Sequence, residues 1–95
     1  MLPILQRVKE FPLGNLRATR TVMQALGPER LFSLFRRHAA GDWGTLDAED
    51  WSANDAALGD GTRLLSAYPQ DDGRKVYLIT EADRSHTTAL FADEY

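Results

Sequence analysis

The sequence predicts an α+β domain, with two or three N-terminal helices packed on a small antiparallel sheet. Three observations predict it. Between residues 31 and 40, Leu31, Leu34, Phe35 and His38 follow the i, i+3, i+4, i+7 spacing of one helix face. Residues 75–81, Lys-Val-Tyr-Leu-Ile-Thr-Glu, are dominated by β-branched and aromatic side chains, the strongest strand signal in the chain. The turns on either side of that strand are short, so residues 63–91 read as a three-stranded antiparallel meander.

The elements follow in order. Pro3, Pro12 and Gly14 disfavour a long regular element, so residues 1–13 read as an irregular extension of a single domain spanning 1–95. Leu16, Ala18 and Thr19 suit a short extended segment, a possible fourth strand at the N-terminal side. Thr21 suits the N-cap of a short helix that Gly27 stops, and Pro28 suits the first turn of the next. In that helix Phe32 widens the apolar stripe, and Gly41 is placed to end it in a left-handed turn. At ~100° per residue His38 lies within about 20° of Leu31, at the edge of the core.

Asp42-Trp43-Gly44-Thr45-Leu46 reads as a compact turn anchored by Trp43, whose indole N–H needs an acceptor. Asp47 then caps a further helix with Glu49 and Asp50 in its first turn, and Gly59-Asp60-Gly61 ends it. Trp51, Asn54, Asp55 and Leu58 share one of its faces. Asn54 is expected to fasten the Gly41–Gly44 turn through its backbone, which makes Asp42, Trp43 and Asn54 structural residues. Pro69 to Gly73 turn the first strand of the meander into the second. Ala82 to His86 lead into the last, over Thr87 to Phe91.

Composition excludes several classes. A chain of 95 residues supports one modest core. It contains no cysteine, hence no disulfide framework, thiolate metal site or cysteine nucleophile. No apolar run approaches the ~20 residues that span a bilayer. The start, Met1-Leu-Pro-Ile-Leu, meets Arg7 and Lys9 too early for a signal peptide, so a cytoplasmic location is expected. Charge is divided unevenly: residues 1–40 hold seven Lys/Arg against two acids, and residues 41–95 hold four against twelve. The plain consequence is a surface of mixed sign. The sharper one is a basic face of Arg17, Arg20, Arg30, Arg36 and Arg37 that meets phosphate or an acidic protein. A pI near 5.2 argues against general nucleic-acid affinity.

Three polar groups are candidates to meet: His38 with Asp42, Thr80 with Glu81, and the stretch Asp83-Arg84-Ser85-His86-Thr87-Thr88. Histidine and glutamate serve as acid and base, arginine holds phosphate, and threonine orients it. Cleavage of RNA needs no metal in such a setting, because the 2′-hydroxyl is the nucleophile. His38, Glu81, Arg84, His86 and Thr88 are the catalytic candidates on that reading. The plainer reading is a helix-terminal histidine satisfying local carbonyls, and a hairpin loop held by Asp83, Arg84 and hydroxyl caps. His38 and Asp42 stand at i, i+4, but Gly41 interrupts the helix and no third ligand follows, so no metal site or cofactor is expected. The helices are not basic and amphipathic enough for a membrane surface.

His38-x-x-Gly-Asp-Trp-Gly44, Asp50, Asn54, Leu65-Ser-Ala-Tyr68, Ile79-Thr-Glu-Ala-Asp-Arg-Ser85 with Thr87-Thr88, and the closing Glu94-Tyr95 form a specific pattern. It resembles a group of small bacterial proteins of plasmids, phages and genomic islands, often labelled plasmid-related or as restriction subunits. The resemblance covers residues 14–95 and implies a mobile-element setting without an activity to carry over. Helices followed by a meander also look like the barnase-, EndoU- and RelE-type nuclease fold, a likeness of architecture alone. Two functions follow as expectations. One is an accessory protein that binds a host or defence-system protein, as an inhibitor of CRISPR or restriction would, through Arg30, Arg36, Arg37, Asp71 and Asp72. The other is a metal-independent ribonuclease or toxin acting on RNA.

Overall fold

A computed structural model describes residues 11–95, and the irregular extension expected over residues 1–13 falls outside them as far as residue 10. The fold is α+β. Strand β1 (Asn15–Ala18) leads into helices α1 (Arg20–Leu26), α2 (Pro28–Ala39) and α3 (Ala48–Asp60). Strands β2 (Leu64–Pro69), β3 (Lys75–Thr80) and β4 (His86–Phe91) follow, and a 3₁₀ turn over Ala92–Glu94 closes the chain.

The expected meander is present: β2 pairs antiparallel with β3, and β3 with β4. The fourth strand is present too, but it makes the sheet mixed. β1 lies beside β4 and parallel to it, giving the order β1-β4-β3-β2. The direction of a pairing so distant in sequence leaves no mark in a four-residue segment.

Local chemistry explains the helix ends. The first helix is capped by Thr19 rather than Thr21: Thr19 has extended backbone and its hydroxyl accepts the Val22 N–H at 3.3 Å. Arg20 and Thr21 therefore lie inside the first turn. Gly27, with φ of +82°, makes the corner into α2, where Pro28 fits because a first-turn N–H has no helical acceptor. Gly41, with φ of +83°, follows α2 as expected. Asp47 caps α3 by accepting the Asp50 N–H at 2.9 Å.

The helices cover one face of the sheet. Leu31, Leu34 and Phe35 of α2 and Val22 of α1 pack on Tyr68, Val76, Leu78, Ala89 and Phe91. A second, smaller cluster joins Trp43, Ala57 and Leu64 with Phe11, Leu46, Trp51 and Leu58. His38 touches the smaller cluster through edge-on contacts with Phe11 and Trp43, at ring separations of 5.3 and 5.4 Å. Phe32 does not join the stripe: it is 51% exposed. Among the described residues no helix is long and apolar enough to cross a membrane.

Candidate functional site

His38 is fully buried in the last turn of α2, over the strands. Its Nδ1 lies 2.5 Å from Ser66 Oγ and its Nε2 lies 2.9 Å from Thr80 Oγ1. Thr80 Oγ1 is in turn 2.6 Å from Thr87 Oγ1, and Thr87 donates to the Leu13 carbonyl at 2.8 Å. Each hydroxyl has one proton, so the carbonyl at the end orders the whole chain. Thr87 donates to Leu13, so Thr80 must donate to Thr87, and His38 Nε2–H must donate to Thr80. Nδ1 is left as an acceptor for Ser66. The ring is a neutral Nε2–H tautomer with both nitrogens satisfied.

Burial pushes the pKa of His38 down to about 3, and the charge of Arg84 pushes the same way. The three groups singled out in the sequence therefore do meet, at His38, Thr80 and Thr87. They meet inside the core.

The remaining candidates lie elsewhere. His86 and Thr88 alternate with Thr87 along β4, so the sheet separates them from His38. His86 Nδ1 lies 3.0 Å from Ser85 Oγ. Glu81 pairs with Arg63 at 3.3 Å. Arg84 holds a left-handed backbone (φ +60°), and its guanidinium donates to the carbonyls of Ala57 at 3.1 Å, Thr62 at 2.7 Å and Glu81 at 3.2 Å. It ties the end of α3 to the β3–β4 turn.

The turn after α2 is held from several sides. Asp42 accepts from Arg37 Nε at 2.8 Å and from the Gly44 N–H at 3.1 Å. Partial burial would raise the Asp42 pKa, but these two donors outweigh it and hold the carboxyl below its usual range. Tyr68 donates its hydroxyl to the Asp42 carbonyl at 2.5 Å. Trp43 is fully buried, as expected, and its indole N–H finds Asp55 Oδ1 at 3.0 Å.

Asn54 corrects an expectation. It is bonded not to the Gly41–Gly44 turn but to Leu65 of β2, donating to the carbonyl at 2.6 Å and accepting the N–H at 3.1 Å. It does for Leu65 what a neighbouring strand would do. Next along, Ala67 N–H donates to the Trp43 carbonyl, and its own carbonyl accepts the Thr45 N–H. A side chain on Gly44 would collide with the Ala67 carbonyl, so this approach requires glycine. Pro69, the next outward position, has no N–H to offer. The outer edge of β2 is closed.

The edge of β1 is different. Asn15 and Thr19 donate their N–H groups to Ser85 and Ala89 of the β4 side. Alternation then turns the backbone groups of Leu16 and Ala18 outward, off the sheet. Beside this edge runs a shallow apolar groove lined by Leu16, Met23, Pro28, Leu31, Phe32 and Phe35. Leu16 and Met23 are each 42% exposed there.

The basic face expected from composition divides in two. Arg30 and Arg37 line a second groove with Asp71, where Arg30 donates to Gln70 at 3.0 Å. Asp72 is paired with Arg74 at 2.6 Å. Arg17, Arg20 and Arg36 lie around the apolar groove. Arg17 is at its β1 rim, with strand alternation turning its side chain to the other face of the sheet; Arg20 stands one turn from Met23, and Arg36 one turn from Phe32. No protein-family model, curated protein or solved structure matches the chain.

The groove was not anticipated from sequence. Phe32 stands off the Leu31–Phe35 core direction, and an apolar side chain there is the signal that could have found it. The seam around His38 had a signal as well. Ser66, Thr80 and Thr87 share the strand parity of the inward Tyr68, Leu78 and Phe91.

Proposed function

We propose that the chain is a non-catalytic protein-binding module, an accessory protein of a mobile genetic element that engages a host or defence-system protein. The observation that carries this reading is the apolar patch of Leu16, Met23 and Phe32, uncovered among the described residues and lying against an open sheet edge. Apolar patches and free edges are both surfaces that partners cover. The polar groups that a ribonuclease would use support the same reading by their positions. His38 is sealed in the core, and Arg84 has carbonyl partners. Inhibition of a CRISPR or restriction component is the role that fits the mobile-element resemblance.

The test pairs two measurements. Tagged protein is used to capture partners from cells carrying restriction and CRISPR systems, with Phe32→Glu as the control. A stoichiometric complex formed by the parent and lost in Phe32→Glu is expected. Purified protein that cuts RNA in chelator, and stops doing so in His38→Ala, would overturn the proposal in favour of the ribonuclease.

A further inference from the structure

We infer that the partner segment is an extended strand that adds beside β1, with apolar residues at alternate positions and acidic residues between them. This rests on the protein-binding reading and specifies its chemistry. The outward backbone groups of Leu16 and Ala18 provide N–H donors and C=O acceptors for one more strand, the usual basis of strand addition.

Parity then determines the side chains. Leu16 pairs with Thr87 and Ala18 with Ala89, both on the helix-covered face. Incoming residues beside Leu16 and Ala18 on that face enter the groove against Met23 and Phe32, so they are apolar. Arg17 pairs with Thr88 on the other face. Residues of the added strand on that face lie next to Arg17, so they are acidic.

The surrounding charge has the same sign. Arg17, Arg20 and Arg36 make no ion pair or hydrogen bond among the described residues. The acids nearby are Glu29, on the Phe32 side of α2, and Glu94, which is taken up by Thr19 Oγ1 at 2.9 Å and the Phe91 N–H at 2.8 Å. Two other occupants fit less well. A second copy adding antiparallel across a two-fold axis would bring Arg17 and Arg20 of one copy against those of the other. Residues 1–10 of the chain itself carry Arg7 and Lys9 against Glu10, the wrong sign.

The experiment titrates isotope-labelled protein with an end-blocked eight-residue peptide alternating valine and glutamate. A lysine-for-glutamate counterpart and a version N-methylated at alternate residues serve as controls. The glutamate peptide should bind at least about tenfold tighter than the lysine peptide, weaken with added salt and shift the amide resonances of Leu16 and Ala18. N-methylation should abolish binding, and Arg17→Glu should reverse the preference. Equal binding of the two peptides, or unmoved Leu16 and Ala18 resonances in the complex, would overturn strand addition. So would dimerisation through Phe32 in sedimentation, or a short RNA displacing the peptide. The two levels separate cleanly. A captured partner lost in Phe32→Glu but indifferent to Arg17→Glu removes only the strand mode, whereas a partner that survives Phe32→Glu removes the binding face itself.

Discussion

The side-chain amide of Asn54 pairs with both backbone groups of Leu65, 2.6 Å to the carbonyl and 3.1 Å from the N–H. A helix residue thereby supplies what a strand lacks. Asn54→Leu adds apolar area but leaves an N–H and a C=O of β2 without partners. We expect a loss of roughly 1–3 kcal/mol in chemical denaturation. Unchanged stability would mean that water replaces the amide without penalty.

His38 predicts how stability responds to acid. Its folded pKa, about 3, lies below the ordinary 6.5, so the unfolded chain binds a proton that the folded protein refuses. Stability is therefore fully present above about pH 6.5 and falls as pH drops toward 3, by up to ~1.4 kcal/mol per pH unit from this group. The upper part of that window lies above the carboxylate range, which isolates the histidine. His38→Gln should lower stability at neutral pH and flatten the slope between about pH 6.5 and 5. Denaturation midpoints of the parent that coincide at pH 7 and pH 5 would sink the idea.

Trp43 fills the turn between α2 and α3 and is fully buried. Trp43→Ala should cost roughly 3–5 kcal/mol, from lost burial and the cavity left beside His38 and Phe11. Trp43→Phe should fall between, because it keeps most of the area but leaves Asp55 without its indole donor. Urea unfolding measures both. A loss under about 1 kcal/mol for the alanine variant would contradict the packing described.

Arg84 combines a guanidinium that grips the carbonyls of Ala57, Thr62, Glu81 and Ala82 with a backbone at φ +60°. Arg84→Lys should fail to restore stability, because one ammonium cannot reach both Ala57 and Thr62. Arg84→Gly should be milder than Arg84→Ala by about 1 kcal/mol, since glycine alone relieves the left-handed strain. Thermal melts of the three variants decide it, and an alanine variant as stable as the glycine one would show that the strain is negligible.

Much of the fold was legible in local patterns because local physics decides those parts. The α2 stripe, the Gly41 stop, the Asp47 cap and the β3 run each follow from side chains near one another in sequence. The parallel entry of β1 and the Asn54–Leu65 pairing depend on partners brought from afar, and nothing in the short segments encodes them. The first cap moved from Thr21 to Thr19 because both are threonine in equivalent context, and only the end of β1 distinguishes them. For the candidate site, type was legible but position was not. His38 was expected at the core edge, whereas Ser66, Thr80 and Thr87 give it a polar bed deep enough to hold it inside.

The unequal edges of the sheet have a consequence for assembly. Polymers of sheets, including cross-β fibrils, grow because each added unit presents a fresh edge to the next. Here the β2 side is sealed by Asn54, by the Trp43–Thr45 backbone and by Pro69, so it offers no template. The molecule is monovalent as a strand acceptor. Two copies that met through their β1 edges would leave only sealed β2 edges outside, so copies of this chain cannot lengthen into a fibril through the described sheet.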